Sequence, residues 1–270
     1  MWPTGSSLVV YKEGISRIIP MHRNPLRRRP FRHAITALLI LLTFVSVSLI
    51  HKKWNVKSDK ENIWGDYRVS QLWSHLDCDK IFLKERPVHS KETWRQLREM
   101  YEAVVSPSSS SIGNLSAGLN GFGAIGHYGK QSPGMGRGIF ASEFVPEGTL
   151  IYDFGQTAQF KDGQSYREFI MHIENDLACD VLQWAYVFDL NEGKGDEPDL
   201  RINVDLDDGS FCNGGSSSEG NLGYLPVENE TRPRKNGMRP LFATQDIKEG
   251  DEILCKYGEF SEGDWVYFGL

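Results

Sequence analysis

The stretch Arg239–Gly258, RPLFATQDIKEGDEILCKYG, reads as strand, turn, strand. Leu241–Thr244 is apolar and β-prone, Lys248-Glu249-Gly250 supplies the turn, and Ile253, Cys255 and Tyr257 alternate onto one face. The same grammar occurs earlier in Phe140–Ile151, FASEFVPEGTLI. Both units fit Phe-Ala-Ser/Thr, two residues, Val/Ile, one residue, Glu-Gly, two residues, Ile. Between them, Ile202–Leu206 alternates as a further strand and ends in the turn Asp207-Asp208-Gly209. These patterns predict an α+β fold of short, mostly antiparallel strands in small sheets. Asp162–Val187, with Ile170, Ile173 and Leu177 at helical spacing, supplies a helical insert.

The net charge of -6 hides a split. Residues 1–53 hold 9 of the 30 Lys/Arg and a single acidic residue, Glu13. The remaining residues carry 21 basic against 35 acidic side chains. An acidic body repels phosphate backbones and argues against direct nucleic-acid binding, while it tolerates a basic peptide. The four cysteines, Cys78, Cys179, Cys212 and Cys255, show neither C-x-x-C spacing nor a cluster with the seven histidines, so no metal site is expected. Disulfides are open to these cysteines, but sequence assigns no pairing.

Ala34–Ile50, AITALLILLTFVSVSLI, is 17 residues without a charge. At ~1.5 Å per residue it just spans a thin bilayer core. Arg27, Arg28, Arg29 and Arg32 precede it, which favours a cytoplasmic tail at residues 1–33 and a signal anchor at 34–50. A buried core helix and an organelle-import segment are the alternatives. The sequons at Asn114 and Asn229 agree with a luminal, endomembrane or Golgi-like body. Residues 51–105 read as a helical stem, in which Ser90 caps a helix carrying the stripe Trp94, Leu97, Tyr101 and Val104. Such a stripe is expected to pack against a neighbouring domain. Residues 106–132 read as a Ser/Gly-rich linker.

Gly121–Gly126 matches G-x-G-x-x-G, but no strand pattern precedes it and no βαβ setting follows, so it is not taken as a dinucleotide site. Gly134-Met-Gly-Arg-Gly138 differs, because a strand follows directly. Glycines there let a backbone approach a bulky ligand. A plain tight turn is the simpler alternative, and the downstream units favour the ligand loop. No G-x-S-x-G is present to support a hydrolase.

Taken in order, Gly-x-Gly-Ile-Phe-Ala, then Asp-Gly…Phe-x-Asn, then Ala-x-x-Asp-Ile-x-x-Gly-Asp-Glu-Ile…Tyr-Gly resembles the SET-domain methyltransferases over roughly Pro133 to Phe260. The resemblance implies a SET-like domain at 133–270 that transfers a methyl group from S-adenosylmethionine to a lysine side chain of a protein or peptide. It implies a methyl-transfer role for Tyr257 and cofactor contacts from Met135, Gly136, Arg137, Gly138, Asn213 and Gly214. The chain departs from the family pattern between Asn213 and Asn221, where Gly-Gly-Ser-Ser-Ser-Glu-Gly replaces His-Ser-Cys-x-Pro. No cysteine triad follows Tyr257, and Trp265 and Phe268 stand either to close the site or to cap the core. The departed motif keeps open a non-catalytic, membrane-tethered binding module.

Overall fold

The computed structural model describes residues 64–112, 121–122, 125–192, 197–216, 218–226, 234–257 and 265–270. Among the described residues three helices come first: α1 (Val69–His75), α2 (Cys78–Phe82) and α3 (Lys91–Val105). Ser90 caps α3 by accepting from Thr93 N, satisfying one of the donors a helix start leaves over. The apolar stripe of α3 is buried at Trp94, Leu97 and Tyr101. Trp94 Nε1 donates to Asp208 at 2.9 Å and Tyr101 Oη donates to Gln159 O at 3.0 Å, so the stripe packs on the strand-rich body.

The strands are β1 (His127–Ser132), β2 (Gly136–Ala141), β3 (Leu150–Tyr152), β4 (Thr157–Phe160), β5 (Tyr186–Asp189), β6 (Leu200–Asp205), β7 (Asn213–Gly214), β8 (Leu222–Gly223), β9 (Leu241–Ala243) and β10 (Leu254–Cys255). They form sheets of order β1-β2, β3-β9-β8-β10-β7 and β4-β6-β5. Pairing is antiparallel except for β10, which lies parallel to both β7 and β8. The helical insert is α4 (Gly163–His172) and α5 (Asn175–Trp184), between β4 and β5. β1 falls in the stretch expected as linker. His127–Ser132 has no clean alternation of its own, and pairing with β2 from His127↔Ala141 to Ser132↔Gly136 makes it a strand.

The two repeated units pair with each other. Gly148 N donates to Ala243 O at 2.8 Å, and Gly250 N donates to Ala141 O at 2.8 Å. Val145 and Ile247 exchange both backbone bonds, at 2.8 and 2.9 Å. Each Glu-Gly turn therefore docks on the Phe-Ala segment of its counterpart. The turn glycines carry φ 79° at Gly148 and 86° at Gly250, where a Cβ would be strained. The core lies beneath, from Ile139, Ile151, Phe160, Phe169, Ile202 and Ile253.

Two disulfides account for all four cysteines: Cys78–Cys179 ties α2 to α5, and Cys212–Cys255 ties the approach to β7 to β10. Residues 62–270 form one compact unit, so the stem helices and the strands share a core. The Ala34–Ile50 segment and both sequons lie outside the described residues. Among the described residues no helix is long and apolar enough to cross a membrane. Gly250→Ala is expected to destabilise the chain by ~1–2 kcal/mol, the cost of a left-handed backbone with a Cβ, measured as a shift in the urea midpoint with an unchanged slope.

Candidate functional site

A cleft of about 1150 Å³ opens beside the β7–β10 pair. Its wall includes Met135, Gly136, Arg137, Asn213, Gly214 and Tyr257. These positions are remote in sequence, and pairing of β10 with β7 brings the last three together. Gly138 is not on the wall. Its missing side chain makes room for others, since a Cβ there would stand 2.1 Å from Glu252 Oε1 and 3.0 Å from Asn213 Nδ2.

Asn213 is held by its amide nitrogen, which donates to Arg137 O at 2.9 Å and to Glu252 Oε1 at 2.7 Å. Its Oδ1 has no donor among the described residues, which leaves an acceptor for a ligand. Glu252 also takes the Ser132 hydroxyl at 2.7 Å, so one carboxylate joins β1, β7 and the second turn unit. Nothing in the local pattern marks Glu252 as more than a strand residue beside a turn. Asn221 has a structural part: Oδ1 accepts from Leu254 N and Nδ2 donates to Glu252 O, both at 2.8 Å.

Tyr257 follows β10, with its hydroxyl donating to Cys212 O at 2.8 Å. Its ring lies against Gly214, where a Cβ would come within 2.9 Å of the ring. One flank of the ring remains open, at 56% exposure. Burial of the hydroxyl end raises its pKa, opposed by a hydrogen bond with the Gly214 backbone, so the phenol stays neutral at physiological pH. The Cys212–Cys255 bridge fastens the two strands that carry this contact, directly beside it.

The Arg137 side chain turns away from ligand duty. Its guanidinium is buried and forks onto Asp180, at 2.7 and 2.9 Å, and it lies over Trp184 at 4.9 Å and Phe211 at 5.0 Å. Asp180 also takes Arg86 Nη2 at 2.9 Å and faces His89 Nε2 at 3.1 Å. Burial alone would raise the Asp180 pKa, but the close approach of His89 and hydrogen bonds from Arg137 and Arg86 outweigh it and hold the carboxylate well below the usual range. Arg86 belongs to the segment Phe82–Arg86, which forms another wall of the cleft. The buried cluster thus sets the distance between the stem and the glycine loop.

The cleft also holds Tyr152, Phe154, Tyr186 and Asp205, none of which stood out in the sequence as site residues. Burial, joined by the neighbouring Asp207 charge, raises Asp205 to about 7 against the hydrogen bonds that favour its ionised form. Burial likewise raises Asp207 to about 6, against hydrogen bonds from the Gly121 and Gly209 backbone and Tyr152. Both folded pKa values lie above the ordinary carboxylate value, so this pair subtracts stability as pH rises from ~4 toward neutrality. Among the described residues, the C-terminal Trp265–Phe268 turn does not reach the cleft. Trp265 packs on Tyr166 of α4 at 5.8 Å, and Arg167 holds the carbonyl of Gly269.

A cleft somewhat larger than the roughly 300–1,000 Å³ usual for small-molecule sites admits a nucleoside-sized ligand. The glycine loop offers backbone without obstruction, because a Cβ built at Gly134 or Gly136 would meet nothing within 4 Å. The residues present therefore fit S-adenosylmethionine, with the loop, Asn213 and Gly214 as the groups that would hold it.

Residues 136–258 match the family model described as SET domain, and this part of the chain is a SET domain. SET domains are S-adenosylmethionine-dependent lysine methyltransferases as a family. Among solved structures, the chain is similar to a chain of ctPRC2 in an autoinhibited conformation bound to S-adenosylmethionine, at 23% identity and TM-score 0.33, covering 57% of this chain and 17% of that one. It is likewise similar to a chain of the Chaetomium thermophilum polycomb repressive complex 2, at 24% identity and TM-score 0.31, covering 56% and 16%. The chain thus spans about a sixth of the length of these relatives. No match was found among the curated proteins.

Asp180→Ala would strand the buried Arg137 guanidinium, leave Arg86 with Asp176 alone, and is expected to cost ~3–5 kcal/mol, read from chemical unfolding at pH 7. The Asp180 pKa is depressed in the fold, so its contribution is complete above the unfolded value of ~3.9 and lost as pH falls below it. The gap between wild type and variant should therefore narrow in acid.

Proposed function

We propose that the chain is an S-adenosylmethionine-dependent protein-lysine N-methyltransferase, tethered to a membrane through Ala34–Ile50. The supporting observation is the convergence of Met135–Arg137, Asn213–Gly214 and Tyr257 on one cleft, within a segment that matches the SET domain. S-adenosylmethionine, when bound, supplies an electrophilic methyl group. The chain's own residues position the acceptor and exclude water. The glycine loop and Gly214 give close backbone approach, and Asn213 Oδ1 offers an acceptor to the ligand's polar edge. Tyr257 Oη spends its proton on Cys212 O, which leaves oxygen lone pairs for weak C–H···O contact near the transferred methyl. The substrate amine must be neutral to act as a nucleophile, and the aromatic side chains in the cleft, Tyr152, Phe154, Tyr186 and Phe211, favour that form where they surround it.

The body is proposed to lie in an oxidising lumen beyond the anchor. All four cysteines are bridged, a state that persists in secretory compartments and not in a reducing cytosol. A lumen also gives weight to a second reading, a tethered SET-like binding module. The Gly/Ser tract between Asn213 and Asn221 favours it, and a luminal enzyme would need its methyl donor carried in.

Tyr257→Phe is expected to lower methyl transfer by about 10²–10³-fold, the usual effect of losing one oriented hydroxyl at a transition state. Calorimetry with S-adenosylhomocysteine should find its affinity within a few-fold of wild type, because no binding contact is removed. Full activity in the variant would remove the Tyr257 hydroxyl from the methyl-transfer step, and no binding of S-adenosylhomocysteine to the wild type would decide for the binding module. In a protease-protection assay on sealed membranes, residues 54–270 should survive digestion from the cytosolic side.

A further inference from the structure

Asp205 ends β6 opposite Thr157 of β4, whose hydroxyl it accepts. It differs from its neighbour in exposure: Asp207 is buried and saturated by Tyr152 Oη and by the Gly121 and Gly209 amides, while Asp205 is only partly covered and lines the cleft. Around it in the cleft wall stand Tyr152, Phe154, Tyr186 and Leu241. The Tyr186 hydroxyl is buried without a well-formed hydrogen bond, although it stands close enough to favour ionisation of Asp205. Among the described residues no Lys, Arg or His forms an ion pair with Asp205.

An aromatic wall with a carboxylate that lacks a cation suits a positive group on an apolar stem. We propose that Asp205 binds the ammonium of the substrate lysine in the aromatic part of the cleft and accepts its proton. This rests on the reading of the cleft as an amine methylation site. One N–H bond of the ammonium breaks and its electron pair stays on nitrogen, while an O–H bond forms on the carboxylate of Asp205. A cation and an anion become a neutral amine and a neutral acid, the arrangement that a desolvated site favours. A carboxylate held near neutrality by burial is suited to the task. The Coulomb repulsion between Asp205 and Asp207 is relieved when either a proton or an ammonium arrives.

The groups facing Asp205 are Thr157 from β4, Tyr152 from β3, Tyr186 from β5, and Asp207 from the following turn. His127, paired with Asp208 in the same turn, titrates nearby, so the pH profile has to be compared between wild type and variant. The test titrates the full-length chain in detergent with n-pentylammonium, and with n-pentanol as its uncharged counterpart, by calorimetry at pH 6 and pH 8. Wild type should bind the amine about tenfold more tightly at pH 8, as Asp205 loses its proton, and should prefer it to the alcohol. Asp205→Asn should weaken amine binding at pH 8 at least about tenfold, flatten the pH dependence, and leave pentanol binding unchanged.

Equal amine binding by wild type and variant would overturn the proposal. So would a wild-type profile that is flat with pH, or pentanol binding as tight as the amine. If Asp205→Asn fails to fold, the two wild-type comparisons decide alone. S-adenosylhomocysteine is titrated separately into both proteins. Its failure to bind wild type sinks the methyltransferase reading, whereas the amine titrations judge Asp205.

Discussion

The reciprocal bonds between the two Glu-Gly turns and the two Phe-Ala segments hold the rest of the strand system in place. Gly148 bonds Ala243 and Gly250 bonds Ala141, so neither turn is complete without the other. The consequence reaches the cleft by a short route. Ile253 N bonds Ile139 O, and between the second turn and β10 stands Glu252, the carboxylate that grips Asn213 and Ser132. Gly138 is glycine because that carboxylate occupies the space of its Cβ. A backbone interlock thus becomes a side-chain alignment beside the ligand loop.

A second constraint binds the stem to this frame. Asp180 is buried among Arg86, Arg137 and His89, and a disulfide joins α2 to α5 one residue away, at Cys179. A buried carboxylate stripped of such partners would be costly, so the cluster forms whole or not at all. Because Arg86 and Arg137 both line the cleft and both bind Asp180, two parts of its wall are tied to one buried carboxylate. The aromatic group Trp94, Trp184 and Phe211 encloses the ion pair and keeps water from it. Packing and electrostatics act here on the same residues.

Two carboxylates near the cleft differ in kind. Glu252, behind Asn213, is satisfied by hydrogen bonds and serves geometry. Asp205 has a neighbour of like charge and no ion-pair partner among the described residues. That contrast gives the aromatic part of the cleft its chemical direction, toward a ligand that brings a positive charge. An acidic body with 35 Asp and Glu after residue 53 would draw a basic peptide toward the same opening by long-range attraction.

The local sequence by itself determined much of the scaffold. The repeated turn units, the Ser90 cap, the β6 alternation and the insert helices were legible because each is written in neighbouring residues as a period or a turn residue. The glycine loop, Asn213 and Tyr257 were candidates by spacing and resemblance, and the fold brings them to one cleft. Tertiary structure decided the rest. Cys78 and Cys179 are separated by 101 positions, and no local pattern distinguishes their pairing from its alternatives. Arg137 reads as part of a ligand loop, yet its side chain is claimed by Asp180, 43 residues on. β1 lacks a strand's own alternation and exists through β2. Asp205 looks like any acidic residue before a turn. Its pKa and its partners come from burial, and burial is a property of the assembled chain that no single segment carries.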